Sequence, residues 1–171
     1  LYALSLAKKN NVPVIMDIDY RPYTWETKNI AKKIYCQASE LCSGIIGNDE
    51  EFAVLSGAYS EGLKYAKKLS SNCDFVIYKK GEKGSITFAD GIEIKKGIFP
   101  VKPLKPTGAG DAFMGALIGG LLKDYNLEKA IEIGSAAAAI VVSKVGCAPA
   151  MPNLEEILDF MRTHNINEGE K

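Results

Sequence analysis

The chain has 171 residues, 47% hydrophobic and 25% charged, which suits a globular domain with a core of its own. Its 21 Lys and Arg are matched by 21 Asp and Glu, so no charge excess argues for a nucleic-acid or anionic-membrane partner. No apolar run approaches the roughly 20 residues that span a bilayer.

Leu1, Leu4 and Ala7 lie at helical spacing ahead of Lys8, Lys9 and Asn10. No initiator Met and no capping residue precede them, so the chain reads as entering inside a helix, as a piece of a longer protein would. Val12 to Ile18 is apolar enough for a strand buried on both faces, with Pro13 at its very start. Asp19 to Trp25 is a polar and aromatic loop. Thr27 to Ser39 predicts an amphipathic helix with Ile30, Ile34 and Ala38 on its buried face. Ser43 to Gly47 is a second strand. Asn48 is placed to cap a helix whose first turn carries Asp49, Glu50 and Glu51, and Gly57 ends it. A further helix is expected over Ser60 to Leu69 and a strand over Phe75 to Tyr78.

Gly81 and Gly84 mark a turn. Ser85 to Ala89 and Ile92 to Lys95 flank Asp90-Gly91, a strong hairpin signal. Gly97 to Leu104 reads as extended. An apolar helix follows from about Ala112 to Leu122, then an Ala-rich one from Leu127 to about Lys144. Asn153 caps a last helix with Leu154, Ile157, Leu158 and Met161 as its buried stripe, and the final polar residues are expected to fray. Strand and helix alternate early and helices dominate late, the pattern of a single α/β domain over residues 1–171 with a largely parallel sheet. Cys36, Cys42, Cys73 and Cys147 form no C-x-x-C pair and no zinc-like spacing; they read as reduced thiols of a cytoplasmic protein.

The chemistry concentrates in Pro106-Thr107-Gly108-Ala109-Gly110-Asp111 at a helix entry. Small residues let the backbone approach a ligand, and the amides of Gly108, Ala109 and Gly110 suit an anion at the positive end of a helix. Asp111 adds a carboxylate able to take a proton from an attacking hydroxyl. Phosphoryl transfer needs both features; a plain glycine-rich helix entry with an acidic first turn accounts for the same residues. The dinucleotide fingerprint fails because its third glycine position holds Phe113, which disfavours an NAD-dependent oxidoreductase. Neither this turn nor Gly81-Glu-Lys-Gly-Ser85 is a Walker A loop. Asn48 to Glu51 is also a good generic helix start. Arg21 follows the first strand, where parallel sheets bind ligands; it suits a carboxylate or phosphate, or an ion pair with Asp17 or Asp19.

Pro106 to Ile118 resembles the C-terminal signature of the ribokinase-like carbohydrate kinases, and other features occur in that family's order along essentially the whole chain. The resemblance implies a ribokinase-like, Rossmann-like three-layer α/β sandwich, of which this chain is the C-terminal portion without the N-terminal half and lid. It implies ATP and Mg²⁺ as cofactors, with Gly108, Ala109 and Gly110 as an anion hole and Asp111 as catalytic base. Asn48 and Glu51 resemble the N-x-x-E motif that organises Mg²⁺, largely through water. Gly81 and Gly84 resemble the G-x-x-G nucleotide loop. Thr107, Ser135 and Ala139, with Gly146 to Pro149, resemble the remaining nucleotide contacts.

Asp17-Ile-Asp-Tyr-Arg-Pro-Tyr-Thr-Trp25 is similar to the substrate loop of one branch, the 5-dehydro-2-deoxygluconokinases of inositol catabolism. Val101 to Lys105, Ile140 to Lys144 and Ala148 to Pro152 are similar to the corresponding segments of the same branch. That likeness implies a sugar-acid acceptor phosphorylated at its C6 hydroxyl and contacted by Asp17, Asp19 and Arg21; fructokinase is the alternative. The family resemblance also implies a homodimer in the full-length protein, and the balanced charge leads to the expectation of no nucleic-acid or membrane partner. Lys105 departs from the pattern: many members carry Asp there beside a monovalent-cation site, so potassium activation does not carry over. Ser135 falls where some members have an adenine-stacking His. The single histidine, His164, reads as a surface residue of the last helix. A non-catalytic reading also stands, in which the half-length piece holds nucleotide without turnover.

Overall fold

The computed structural model describes residues 1–167; the last of the residues expected to fray, 168–171, lie outside the described ones. The chain divides into two compact units. One comprises Leu1–Gly81 and Ser85–Ile94, the other Glu82–Gly84 and the chain from Lys95 onward.

The first unit carries helix α1 (Tyr2–Lys9), strand β1 (Ile15–Asp17), helix α2 (Lys28–Ser39), strand β2 (Gly44–Asn48), helices α3 (Asp49–Ser56) and α4 (Gly62–Leu69), strand β3 (Phe75–Lys79) and strand β4 (Ser85–Ala89). Strand β5 (Ile92–Lys96) completes the sheet order β1-β2-β3-β4-β5. β1, β2 and β3 are parallel, with Ile15 opposite Gly44 and Gly44 opposite Phe75. β4 turns back antiparallel, with Phe75 opposite Ala89. Ile45, Ile46, Val76 and Ile77 are fully buried, as expected of parallel strands covered on both faces. Gly44 is required there: a Cβ would lie 2.4 Å from the Phe75 ring.

Two expectations shift. β1 begins three residues later than predicted. The amide of Val12 turns back to the Ala7 carbonyl at 2.9 Å and finishes α1, and Pro13 has no N–H to give a ladder. On α2 the buried face carries Ala31 and Ala38 rather than Ile30, which is exposed. Ala31 has no surface left open, and Tyr35, one turn further on, packs against Trp25 and Tyr20. Turn chemistry follows the sequence directly. Thr27 caps α2 by accepting from the Ile30 amide at 3.2 Å. Gly57 ends α3 with φ 95°. Asp90 and Gly91, with φ 51° and 75°, supply the two left-handed residues of the β4–β5 turn. A short 3₁₀ turn over Tyr59–Glu61 delays α4 to Gly62.

The second unit is helical: α5 (Ala109–Leu121), α6 (Leu127–Val142) and α7 (Leu154–Thr163). Its core gathers Phe99, Ile133, Ala136, Ala137, Ile140, Val141 and Ile157. α5 and α6 approach closely through small residues: a Cβ on Gly134 would lie 2.9 Å from the Phe113 carbonyl, and one on Gly120 would lie 3.3 Å from Ala130. Asn126 and Asn153 cap α6 and α7, the latter through a reciprocal capping box with Glu156. α5 starts earlier than expected, at Ala109, so Gly110 and Asp111 already lie in its first turn. His164 closes α7 on the surface, its ring stacked on Phe160 at 4.0 Å. Among the described residues no helix is long and apolar enough to cross a membrane. All four cysteines are free thiols.

Candidate active site

In the second unit, Gly108 enters α5 with φ 89°, a left-handed conformation that a side chain would strain. No side chain caps this helix. The Ala109 amide donates to the Pro106 carbonyl at 3.3 Å. The amides of Gly108, Gly110 and Asp111 have no partner among the described residues. The free donors are therefore not the three successive amides expected: Ala109 is engaged and Asp111 takes its place. Unpaired first-turn amides at the positive end of a helix favour an anion. The Asp111 side chain is exposed and has neither hydrogen bond nor ion pair among the described residues. An open carboxylate beside free amides is equipped to take a proton next to a bound anion.

The turn rests on the end of α6. The Leu104 and Lys105 amides both donate to the Val142 carbonyl, at 2.7 and 3.3 Å. Lys105 Nζ lies 3.2 Å from Cys147 Sγ. Thr107 is exposed. Ser135 and Ala139 are 8% and 6% exposed, so each presents little surface to a ligand in this conformation.

In the first unit, polar side chains gather at the carboxyl ends of the parallel strands. Asp17 ends β1, Asn48 ends β2 and Lys79 ends β3, with Asn48 opposite Lys79 in register. Glu51 rises from the first turn of α3. Its Oε2 accepts the Asn48 amide at 2.7 Å, and Asn48 Oδ1 accepts the Glu51 amide at 2.8 Å. Glu51 is only 7% exposed. Burial pushes its carboxyl above the ordinary value; the Asn48 amide and Lys79 oppose the shift, and Asp17 adds to it. Lys79 Nζ stands 3.9 Å from Asp17 Oδ1. Asp19, at φ 38°, bends the following loop. Arg21 pairs with it at 2.6 Å, both side chains more than half exposed. Arg21 thus carries the ion pair that its sequence neighbours allowed, with Asp19 rather than Asp17.

No three His, Cys, Asp or Glu side chains converge among the described residues, so there is no all-protein cation cage in them. Magnesium does not need one, because it keeps several waters and takes one or two carboxylates with substrate phosphates. The Asn48–Glu51 turn fits that outer role.

Gly81 and Gly84 bound a 3₁₀ turn, with φ 60° and 81°. Gly81 faces open space, whereas a Cβ on Gly84 would lie 2.0 Å from the Lys96 carbonyl. Sequence reading passed over Lys79 and Cys147 as neighbours of these groups. Lys79 had a usable signal, as the first charge after the apolar run Phe75–Tyr78 at the ligand-binding end of a parallel strand.

Residues 2–154 match the pfkB family carbohydrate kinases. A 5-dehydro-2-deoxygluconokinase of Geobacillus kaustophilus is 39% identical over 167 residues, which cover 95% of this chain and 50% of the relative. The fold is ribokinase-like. A ribokinase of Thermotoga maritima matches with TM-score 0.76 at 29% identity, over 94% of this chain and 52% of its own. An aminoimidazole riboside kinase of Salmonella enterica, solved with aminoimidazole riboside and an ATP analog, matches with TM-score 0.82 at 25% identity, over 93% and 56%. The chain spans about half the length of the curated relatives it matches.

Proposed function

The chain belongs to the pfkB family of carbohydrate kinases, and from that premise we propose that it is the C-terminal, nucleotide-binding and catalytic part of an ATP-dependent sugar kinase. The observation that carries the reading is Asp111: an exposed carboxylate without a partner among the described residues, in the same helical turn as the free amides of Gly110 and Asp111. Asp111 accepts the proton of the acceptor hydroxyl as its oxygen attacks the terminal phosphorus of ATP. The bond to the bridging oxygen breaks and ADP leaves. The α5 amides stabilise negative charge on the transferring group. Asn48 and Glu51 are the residues that would hold the water shell of Mg²⁺, which would supply neutralisation of phosphate charge.

The acceptor we propose is 5-dehydro-2-deoxy-D-gluconate, phosphorylated at C6. Support comes from the relatives of that name, near 39% identical over almost the whole chain. Arg21 is the residue suited to the acceptor's carboxylate. One observation favours fructokinase instead: Arg21 is already paired with Asp19 at 2.6 Å, and a neutral sugar would leave that pair intact.

The deciding experiment is an ADP-release assay on the full-length protein with Mg-ATP and each acceptor. Preference for the sugar acid supports the first reading, and preference for fructose moves the function to the second. Nucleotide binding without turnover on either would support a non-catalytic module.

A further inference from the structure

We propose that Lys105 and Cys147 form a positioning pair for the Pro106–Gly110 turn, fixing its amides for a nucleotide phosphate and keeping an uncompensated positive charge beside it. This inference rests on the ATP-site reading above.

The attachment is built from both sides. Lys105 Nζ reaches Cys147 Sγ at 3.2 Å across 42 residues of sequence. The same sulfur lies 3.7 Å from the Thr107 carbonyl oxygen. Gly108 sits directly against it: an added Cβ would be 3.5 Å from Cys147 Cβ and 3.4 Å from Val141 Cγ1. Cys147 is therefore the floor under the two residues that lead into α5. The Leu104 and Lys105 amides complete the hold by taking the Val142 carbonyl at the end of α6, one of the acceptors a helix terminus leaves unused.

The choice of partner matters. A thiol sulfur is a weak, neutral acceptor. Among the described residues Lys105 Nζ has no other polar partner and no carboxylate. The ammonium is thus located by the sulfur without being neutralised by it. A pair serving stability alone would gain more from an acidic partner, as Lys96 does with Glu128 and Glu132. The carboxyl end of α6 favours the Lys105 cation, while the amino end of α5 favours a bound anion.

The test is titration of the chain, and of the full-length protein, with a fluorescent Mg-ATP analogue. Lys105→Met is expected to weaken binding by about tenfold or more, in line with loss of a charge-assisted contact. Lys105→Arg should recover most of the loss. Ammonium chloride should restore part of Lys105→Met binding when tetramethylammonium chloride at equal ionic strength does not. Cys147→Ala, which leaves the lysine in place, should weaken binding several-fold with a smaller effect from Cys147→Ser; it keeps the test decisive if Lys105→Met does not fold. Wild-type binding with Lys105→Met or Cys147→Ala equal to it would overturn the pair while leaving the ATP site standing. Absence of nucleotide binding by both wild-type proteins would sink the ATP-site reading, and the pair with it.

Discussion

The Asn48 and Glu51 backbone amides are each satisfied by the other residue's side chain, at 2.7 and 2.8 Å. The motif is a complete capping box, yet its carboxylate is 7% exposed and its pKa is raised, first by burial. A cap with no further duty would not need a buried charge, since Gln serves the same position. Glu51→Gln is therefore expected to keep the helix start and to weaken Mg-ATP use. The sign of the pH effect follows from the raised pKa. Below the ordinary value of 4.5 the carboxyl is neutral in folded and unfolded states and costs nothing extra. As pH rises through the higher folded value, the unfolded chain releases the proton first and folding loses stability. Thermal melts from pH 4 to pH 8 should show wild type losing ground to Glu51→Gln as pH rises. A gap that widens in the other direction would contradict a buried, destabilised carboxylate.

Arg21 and Asp19 are paired at 2.6 Å with both side chains more than half exposed. Exposed pairs contribute about 0–1 kcal/mol, so Arg21→Ala should leave the melting temperature nearly unchanged. If Arg21 binds the acceptor's carboxylate, the KM for the sugar acid should rise by about tenfold or more, with kcat less affected. The measurement is initial rate against acceptor concentration at saturating Mg-ATP. Unchanged KM with unchanged stability would leave the pair as surface structure and favour the neutral-sugar reading.

Local chemistry was legible where one residue decides the geometry. Asp90-Gly91 takes the two positive φ values that its hairpin requires, and Asn48, Asn153 and Gly57 mark helix ends where expected. The Gly-Ala-Gly-Asp entry to α5 was readable for the same reason. What escaped was set by partners distant in sequence. Ile30 and Ala31 satisfy helical periodicity almost equally, and only tertiary packing selects Ala31. The Val12 amide was lost to α1, which no apolar count reveals. Ala109 engages its amide with Pro106 through the turn's own curvature. The Lys105–Cys147 contact spans 42 residues and has no local signal.

Gly81 and Gly84 separate two reasons for glycine within one turn. Both have positive φ, 60° and 81°. A Cβ on Gly81 meets nothing within 4 Å, so Gly81→Ala should cost only the left-handed conformation, about 1 kcal/mol. On Gly84 the Cβ would approach the Lys96 carbonyl to 2.0 Å and the Gly97 Cα to 2.7 Å, both backbone atoms that cannot rotate away. Gly84→Ala should therefore cost more than about 3 kcal/mol or prevent folding. Chemical denaturation of the two variants checks the order, and equal losses would show that conformation rather than crowding sets the requirement.

Asp111→Asn is the sharpest test of the chemistry. The side chain makes no hydrogen bond or ion pair with the described residues, so amidation should leave the α5 entry and its stability intact. Removing a negative charge beside the phosphate site should leave nucleotide binding unchanged or slightly tighter. Asparagine cannot take the acceptor's proton, so kcat should fall by about 10²–10⁴-fold, the usual contribution of a general base. The affinity comes from nucleotide titration and the rate from ADP release by the full-length enzyme. A fall in kcat with retained affinity assigns the proton transfer to Asp111, because a structural acid would lower binding and stability together. Near-normal turnover would remove Asp111 from the chemistry and leave the α5 amides as an anion site alone.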